Sequence, residues 1–247
     1  MILASDLKLG MCQFCGDTRG AKSTLYSEVG TKYLNYAIRD IEQQVRMRCK
    51  QPDFMFAEFT IDTDVSGVLG DYPLPVDFAA PVPKFAGRAL LSSGLSGNVD
   101  GMPLKDIGAA AGLGLNSRRT VWTIHGTLPQ RYVRFYPSPL TTGIVFTLQY
   151  ARRQPEIISD NDYITVFPAG DGWEQIFIFR MSDYAMRFGQ AVYRGDPDTA
   201  YQKALSEKVD SINADSPETN GEAGHLDDVA MIEFDIERGR CNPRGSR

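Results

Sequence analysis

Residues 131–155, RYVRFYPSPLTTGIVFTLQYARRQP, constrain the fold of this chain more than any other stretch. Val133 and Phe135, then Ile144, Phe146, Leu148 and Tyr150, fall at every second position, the spacing that turns one face of a strand towards a core. Pro137 and Pro139 have no N–H to give to a ladder and so belong at a strand end. Thr141, Thr142 and Gly143 supply turn chemistry, and Pro155 closes the second strand. The expected local structure is a β-hairpin around a Pro-rich corner, handed on to two helical segments. No catalytic motif lies near it, which favours a structural module over an enzyme.

The flanking periodicity is helical. Within 23–50, Leu34, Ile38, Ile41 and Val45 recur at helix spacing, with Lys32, Arg39, Glu42 and Arg46 on other faces. Ser23 or Thr24 is placed to cap this helix, and Gln51-Pro52 to stop it near Lys50. Residues 54–160 read as β with long loops. Phe56, Phe59 and Ile61 mark one strand, and 71–78 (DYPLPVDF) is an extended segment pinned by two prolines. Strands are also expected at 86–91 and 119–125, with a Gly-rich excursion at 94–116. After Phe167-Pro168 an apolar helical segment runs through Trp173, Ile176, Phe177, Phe179, Tyr184, Phe188 and Val192. Gly195 suits a left-handed helix end, and Asp196-Pro197 a new helix start. Leu205, Val209 and Ile212 then face the core from the last helix.

Residues 213–225 are polar and acidic and read as a linker. Beyond it, 229–236 (VAMIEFDI) alternates like a strand. Val229, Met231, Ile232, Phe234 and Ile236 are its docking candidates, either by β-addition to a neighbour or by folding back on the chain's own β region. The fold class is α+β: a helical bundle from the N- and C-terminal helices, a β-rich insertion, and an extended tail. The divisions fall at 1–53, 54–167, 168–214 and 215–247. Leu34, Ile38, Ile41, Val45, Phe188 and Leu205 are the expected bundle core.

Composition closes several functional classes. With 43% hydrophobic and 23% charged residues the chain is ordinary for a globular protein. No apolar run approaches the roughly 20 residues that cross a bilayer. The N-terminus lacks the pattern of a signal peptide, so a cytosolic compartment is expected. A net charge of −5 argues against a phosphate-gripping surface but not against a passage through which DNA slides. Cys12 and Cys15 form a C-x-x-C, yet Cys49 and Cys241 stand alone and His125 and His225 are single, so reduced thiols are favoured over a metal or redox site. Residues 16–23 (GDTRGAKS) approach a phosphate-binding loop, but Ala21 replaces its second glycine and no convincing strand precedes it, which leaves an ordinary turn before a capped helix. Acidic pairs such as Asp160 with Asp162 read as solvated charge. The arginine pairs 118–119 and 152–153 read as strand edges or salt-bridge partners. No catalytic residue, cofactor or metal ligand is assigned.

Several motifs occur in a fixed order: LNYAIRDI at 34–41, YPLPVDF at 72–78, VRFYPSP at 133–139, the strand ending in Tyr150, and RGDP at 194–197. This order resembles the head-to-tail adaptor (connector) proteins of tailed bacteriophages, those of short-tailed phages above all, over residues 25–215. The resemblance implies a structural protein of the virion neck, assembled in the host cytoplasm. It implies a ring, commonly of twelve copies, beneath the portal protein that extends the DNA channel for genome ejection. The opposite face would carry tail nozzle or tail fibre proteins, and the C-terminal segment would dock onto the portal or a neighbour. DNA would pass without sequence-specific binding, and no membrane is involved. The competing classes are a carbohydrate- or receptor-binding β module of a virion tail, and a nucleotide-dependent enzyme using Lys22.

Overall fold

The computed structural model describes residues 1–50, 52–62, 71–81, 90–91, 100–101, 121–127, 130–136, 145–191 and 195–215. Helices stand at both ends and strands between them, the α+β arrangement expected. The described residues divide into a helical unit, 1–55 with 153–215, and a β unit, 56–152. The tail candidates Val229, Met231, Ile232, Phe234 and Ile236 lie outside the described residues, as do Arg118 and Arg119 and most of the Gly-rich excursion.

The helical unit opens with a helix not foreseen from the sequence. Strand β1 (Ile2–Leu3) leads into α1 (Ala4–Phe14), which buries Ala4, Leu7, Lys8, Met11 and Cys12, one stripe at spacings of three and four. A π-turn at Leu25–Val29 runs straight into α2 (Gly30–Arg48), so the helical stretch starts beside Ser23, where the sequence places its cap. Gly30 has a packing reason. A Cβ there would come within 2.8 Å of Cε of Lys8 and 3.2 Å of the Leu25 carbonyl oxygen. Helix α3 (Trp173–Arg187) packs against α1, α2 and α4 (Pro197–Asp215) and is the centre of the unit. Leu34, Ile38, Ile41, Val45 and Leu205 are buried in the shared core with Trp173, Phe177 and Met181.

Phe188 is not part of that core. It is 58% exposed and stacks on the rings of Tyr33 and Tyr184 at its edge. The reason is that α3 stops earlier than expected. Gly189 takes φ +68°, its N–H bonds to the Met186 carbonyl, and the Gln190 N–H reaches the Ala185 carbonyl. This pair of bonds, with a left-handed glycine, is the Schellman stop. Gly189 therefore ends this helix in place of Gly195, which is itself left-handed, as expected, at φ +93°. The next start is as read: the Asp196 carboxylate accepts the Thr199 N–H at 3.1 Å, and Pro197 opens α4.

In the β unit the expected hairpin at 131–155 does not form. Strand β8 (Gln130–Tyr136) pairs instead with β7 (Val121–Thr127) and with β3 (Asp71–Pro73), in the sheet β3-β8-β7-β6 with β6 at Asp100–Gly101. Strand β9 (Val145–Arg152) pairs with β2 (Phe56–Asp62), β4 (Phe78–Pro81) and β5 (Leu90–Leu91) in the other sheet. The two strands that flank the Pro-rich stretch thus enter different sheets, and the stretch itself, 137–144, lies outside the described residues. Alternation fixed which face of each strand is apolar, and it says nothing about the partner. Val133 from one sheet, with Leu148 and Tyr150 from the other, shares a core with Ile61, Tyr72, Leu74 and Phe78. The true hairpin is β7–β8. Gly126 faces Arg131 there with φ +95°, where a Cβ would lie 2.5 Å from the Gln130 carbonyl oxygen.

Residues 71–78 cross between the two sheets, with a carboxylate anchoring each end. Asp71 accepts two bonds of 2.6 Å from Arg134 on β8, and that guanidinium holds its carboxyl below the usual range. Asp77 accepts the Tyr150 hydroxyl at 3.0 Å and Nε of Arg152 at 2.8 Å, both from β9. Burial, and then the bond to Asp77, push the Tyr150 phenol up to about 12. An unfolded tyrosine ionises near pH 10, whereas the folded state still holds this proton. The stability that this tyrosine contributes is therefore complete below about pH 10 and is lost as pH rises towards 12. Alkaline melts of the wild type should fall steeply over that range, and Tyr150→Phe should flatten the fall for the β unit.

Candidate docking surface of the helical unit

Three polar clusters fix the helical unit, and none was singled out from the sequence. The first gathers on α3. Arg180 lies 2.8 Å from Asp40 on α2, 2.8 Å from Asp183 on its own helix and 3.5 Å from Asp198 on α4. Its guanidinium sits 4.7 Å from the ring centroids of both Tyr184 and Tyr201. Tyr201 donates to Asp40 at 2.9 Å, and Arg187 bridges Asp183 and Asp198 at 2.7 and 3.3 Å. One cation thus ties three helices, its planar fork shared among carboxylates and its charge lying beside two aromatic rings.

The second cluster fixes the exposed turn at 158–163. Lys8 is 2% exposed, and its ammonium donates to Asp160 at 2.6 Å and to Thr31 at 3.2 Å. It also lies 4.1 Å over the Tyr26 ring, while the Tyr26 hydroxyl donates to the other Asp160 oxygen at 2.8 Å. Lys8, and after it Tyr26, hold the Asp160 carboxyl below its ordinary value. Asp162 accepts the backbone N–H groups of Ile158 and Ser159 at 2.8 and 2.7 Å. These two carboxylates, read from the sequence as solvated charge, instead build the turn. On α2, Asn35 pairs with both backbone groups of Ile157 at 2.9 Å, as a strand neighbour would. The result is a rigid turn that presents Ile158 to solvent at 85% exposure.

The third cluster centres on Gln154, which is buried. Its N–H donates to Glu42 at 2.6 Å, and its side-chain oxygen accepts the N–H groups of Thr165 and Val166 at 2.7 and 3.2 Å. Its amide nitrogen donates to the Tyr163 carbonyl at 3.1 Å. Ile157, Ile164, Val166 and Phe167 are buried in the same core, and β10 (Tyr163–Ile164) pairs with β1. Residues 153–167, expected in the β insertion, therefore belong to the helical unit.

The loop at 16–23 is organised by Asp17, which accepts from the backbone and side chain of Arg19 and from the Ser23 hydroxyl. Ser23 in turn accepts the Leu25 N–H at 3.1 Å, so it caps the π-turn. Cys12 and Cys15 are free and buried, and burial raises both thiols. No group of three metal-ligating side chains occurs among the described residues. No described helix is long and apolar enough to cross a membrane.

On the outer side of α3 and α4 lies an open groove of about 560 Å³. Ile176 and Phe179 from α3, with Ala200 and Ala204 from α4, give it apolar walls, and Lys203 and Lys208 rim it. Lys208 pairs with Asp171 and Lys203 lies 3.9 Å from Glu207, and both carboxylates also line the groove. Aromatic spacing in the sequence pointed to a packed helix here, and Trp173 and Phe177 do pack. The groove follows from the small alanines of α4.

Compared with known families, the chain matches the model described as SU10 adaptor protein over residues 15–224. No curated protein matches it.

Proposed function

The chain belongs to the SU10 adaptor protein family and is a phage adaptor, and from that premise we propose that it assembles as a ring beneath the portal, in the neck of a short-tailed phage. The ring, commonly of twelve copies, extends the DNA channel and offers its far face to tail nozzle or fibre proteins. Its role is mechanical, not catalytic, and needs no cofactor. The observation that carries this reading is the family match, which runs through both units and into the segment after α4. The cross-braced helical unit supports it, because a ring that transmits load needs subunits that do not deform. The acidic net charge of −5 suits a channel that releases DNA.

The segment 229–236 docks each copy onto the portal or a neighbour. Deleting residues 228–247 should leave the melting of the helical unit unchanged and lower co-purification with the portal protein at least tenfold. Undiminished capture by the truncated chain would remove this docking role.

A further inference from the structure

We propose that Cys12 and Cys15 are a redox pair, a dithiol that a small-molecule disulfide closes into a bond clamping the end of α1. Neither the ring nor the docking tail is needed for it. Both thiols are free and buried, Cys12 at 0% and Cys15 at 6% exposure. The Cys15 N–H bonds to the Met11 carbonyl at 2.9 Å, so the helix runs unbroken from one cysteine to the other. Three steps along an α-helix separate Cα atoms by about 5 Å, within the roughly 4.4–6.8 Å that a disulfide spans. The chain then turns away at once. Gly16 takes φ +73°, its N–H bonds to the Gln13 carbonyl at 3.0 Å, and the Asp17 N–H bonds to the Cys12 carbonyl at 2.8 Å. This stop leaves the two thiols together on the last turn, near enough for each to feel the other's charge.

The Ser182 hydroxyl of α3 marks the site independently. It is fully buried, and no nitrogen or oxygen among the described residues satisfies it. It lies beside the Cys15 thiol, whose ionised form it favours. A buried hydroxyl without a partner needs a reason, and a donor held ready for the Cys15 thiolate supplies one. The Ser23 hydroxyl favours the Cys12 thiolate in the same way. Burial opposes both serines and is the larger influence, so the pair stays protonated and reduced until the loop at 16–23 opens. Closure is then thiol–disulfide exchange. The Cys15 thiolate attacks one sulfur of the small disulfide and expels a thiolate. The Cys12 thiolate attacks the Cys15 sulfur of that mixed disulfide and expels the second. The two cysteines lose two electrons, the small disulfide gains them, and the protons given up by the cysteines end on the expelled thiols. The new bond stiffens the end of α1, where Phe14 packs against Phe179 of α3 with ring centroids 5.3 Å apart.

The test incubates the full folded chain in mixtures of reduced and oxidised glutathione, quenches with acid, alkylates in denaturant and digests with trypsin. Cleavage after Lys8 and Arg19 releases residues 9–19, which hold Cys12 and Cys15 but neither Cys49 nor Cys241. As the oxidised share rises, this peptide should lose both alkyl groups together and lie two hydrogens below its reduced mass, and dithiothreitol should restore it. Ser182→Ala strands no partner, so its melting should match the wild type. Its closure should be slower by about threefold or more, with the rate profile moved to higher pH. A wild-type peptide that keeps both alkyl groups in every mixture, or that carries only bound glutathione, would overturn the pair. A Ser182→Ala rate equal to the wild type's at every pH would remove Ser182 from the site.

Discussion

Replacing Arg180 by alanine should destabilise the helical unit by about 3–5 kcal/mol, the cost of taking one cation out of a largely buried charge cluster in which Arg187 alone is left to serve Asp183 and Asp198. The partners of Arg180 are Asp40 on α2, Asp183 on α3 and Asp198 on α4, and the Asp183 side chain is only 6% exposed. The Tyr201 hydroxyl would be left as the donor to Asp40. For a domain of this size the loss corresponds to a melting shift of roughly 6–20 °C. Arg180→Lys should fall between the two, because a point charge keeps one pairing but neither the fork nor the stacking on Tyr184 and Tyr201. Thermal melts followed by circular dichroism at 222 nm measure it. A shift under about 2 °C for the alanine variant would mean that the cluster contributes little to stability.

Gln154→Ala is the second large effect, about 2–4 kcal/mol, because buried backbone N–H groups lose their acceptor and nothing polar takes its place. The Gln154 side-chain oxygen serves Thr165 and Val166, and its nitrogen serves the Tyr163 carbonyl. The expected signature is local. Amide exchange should quicken at 163–167 well before the rest of the unit, whereas the Glu42 contact, made by the Gln154 backbone, persists. Gln154→Glu keeps the acceptor and loses the donor, so it should be milder. Equal exchange at 163–167 in wild type and Gln154→Ala would contradict this role.

What was legible in the sequence was periodicity. Leu34, Ile38, Ile41 and Val45 named the buried face of α2, and Asp196-Pro197 named the start of α4, because helical spacing and caps are local properties. Helix α1 has an equally regular stripe, but Lys8 sits within it and reads as a surface residue until Asp160 and Tyr26 are seen around it. Partnership across the chain was not legible. Val133 and Leu148 were correctly read as inward-facing, yet nothing in their alternation says that their strands enter different sheets. Asn35, Asp40 and Gln154 are polar residues whose partners lie 122, 161 and up to 112 positions away. Asn35 and Asp40 stand inside the 34–41 stretch that carried the family resemblance, so the resemblance located residues whose physical work only the fold displays. The exposed Ile158 and the α3–α4 groove were less legible still, since Ile158 is one apolar residue in an acidic turn and the groove is a gap left by alanines.

The central claim is assembly on the portal, and the most direct measurement is the mass and symmetry of the particle that the wild-type chain forms with it. Purified together and imaged by cryo-electron microscopy, the two should give a closed ring of the chain, coaxial with the portal and commonly of twelve copies. A chain that stays monomeric and leaves the portal ring bare would contradict the account.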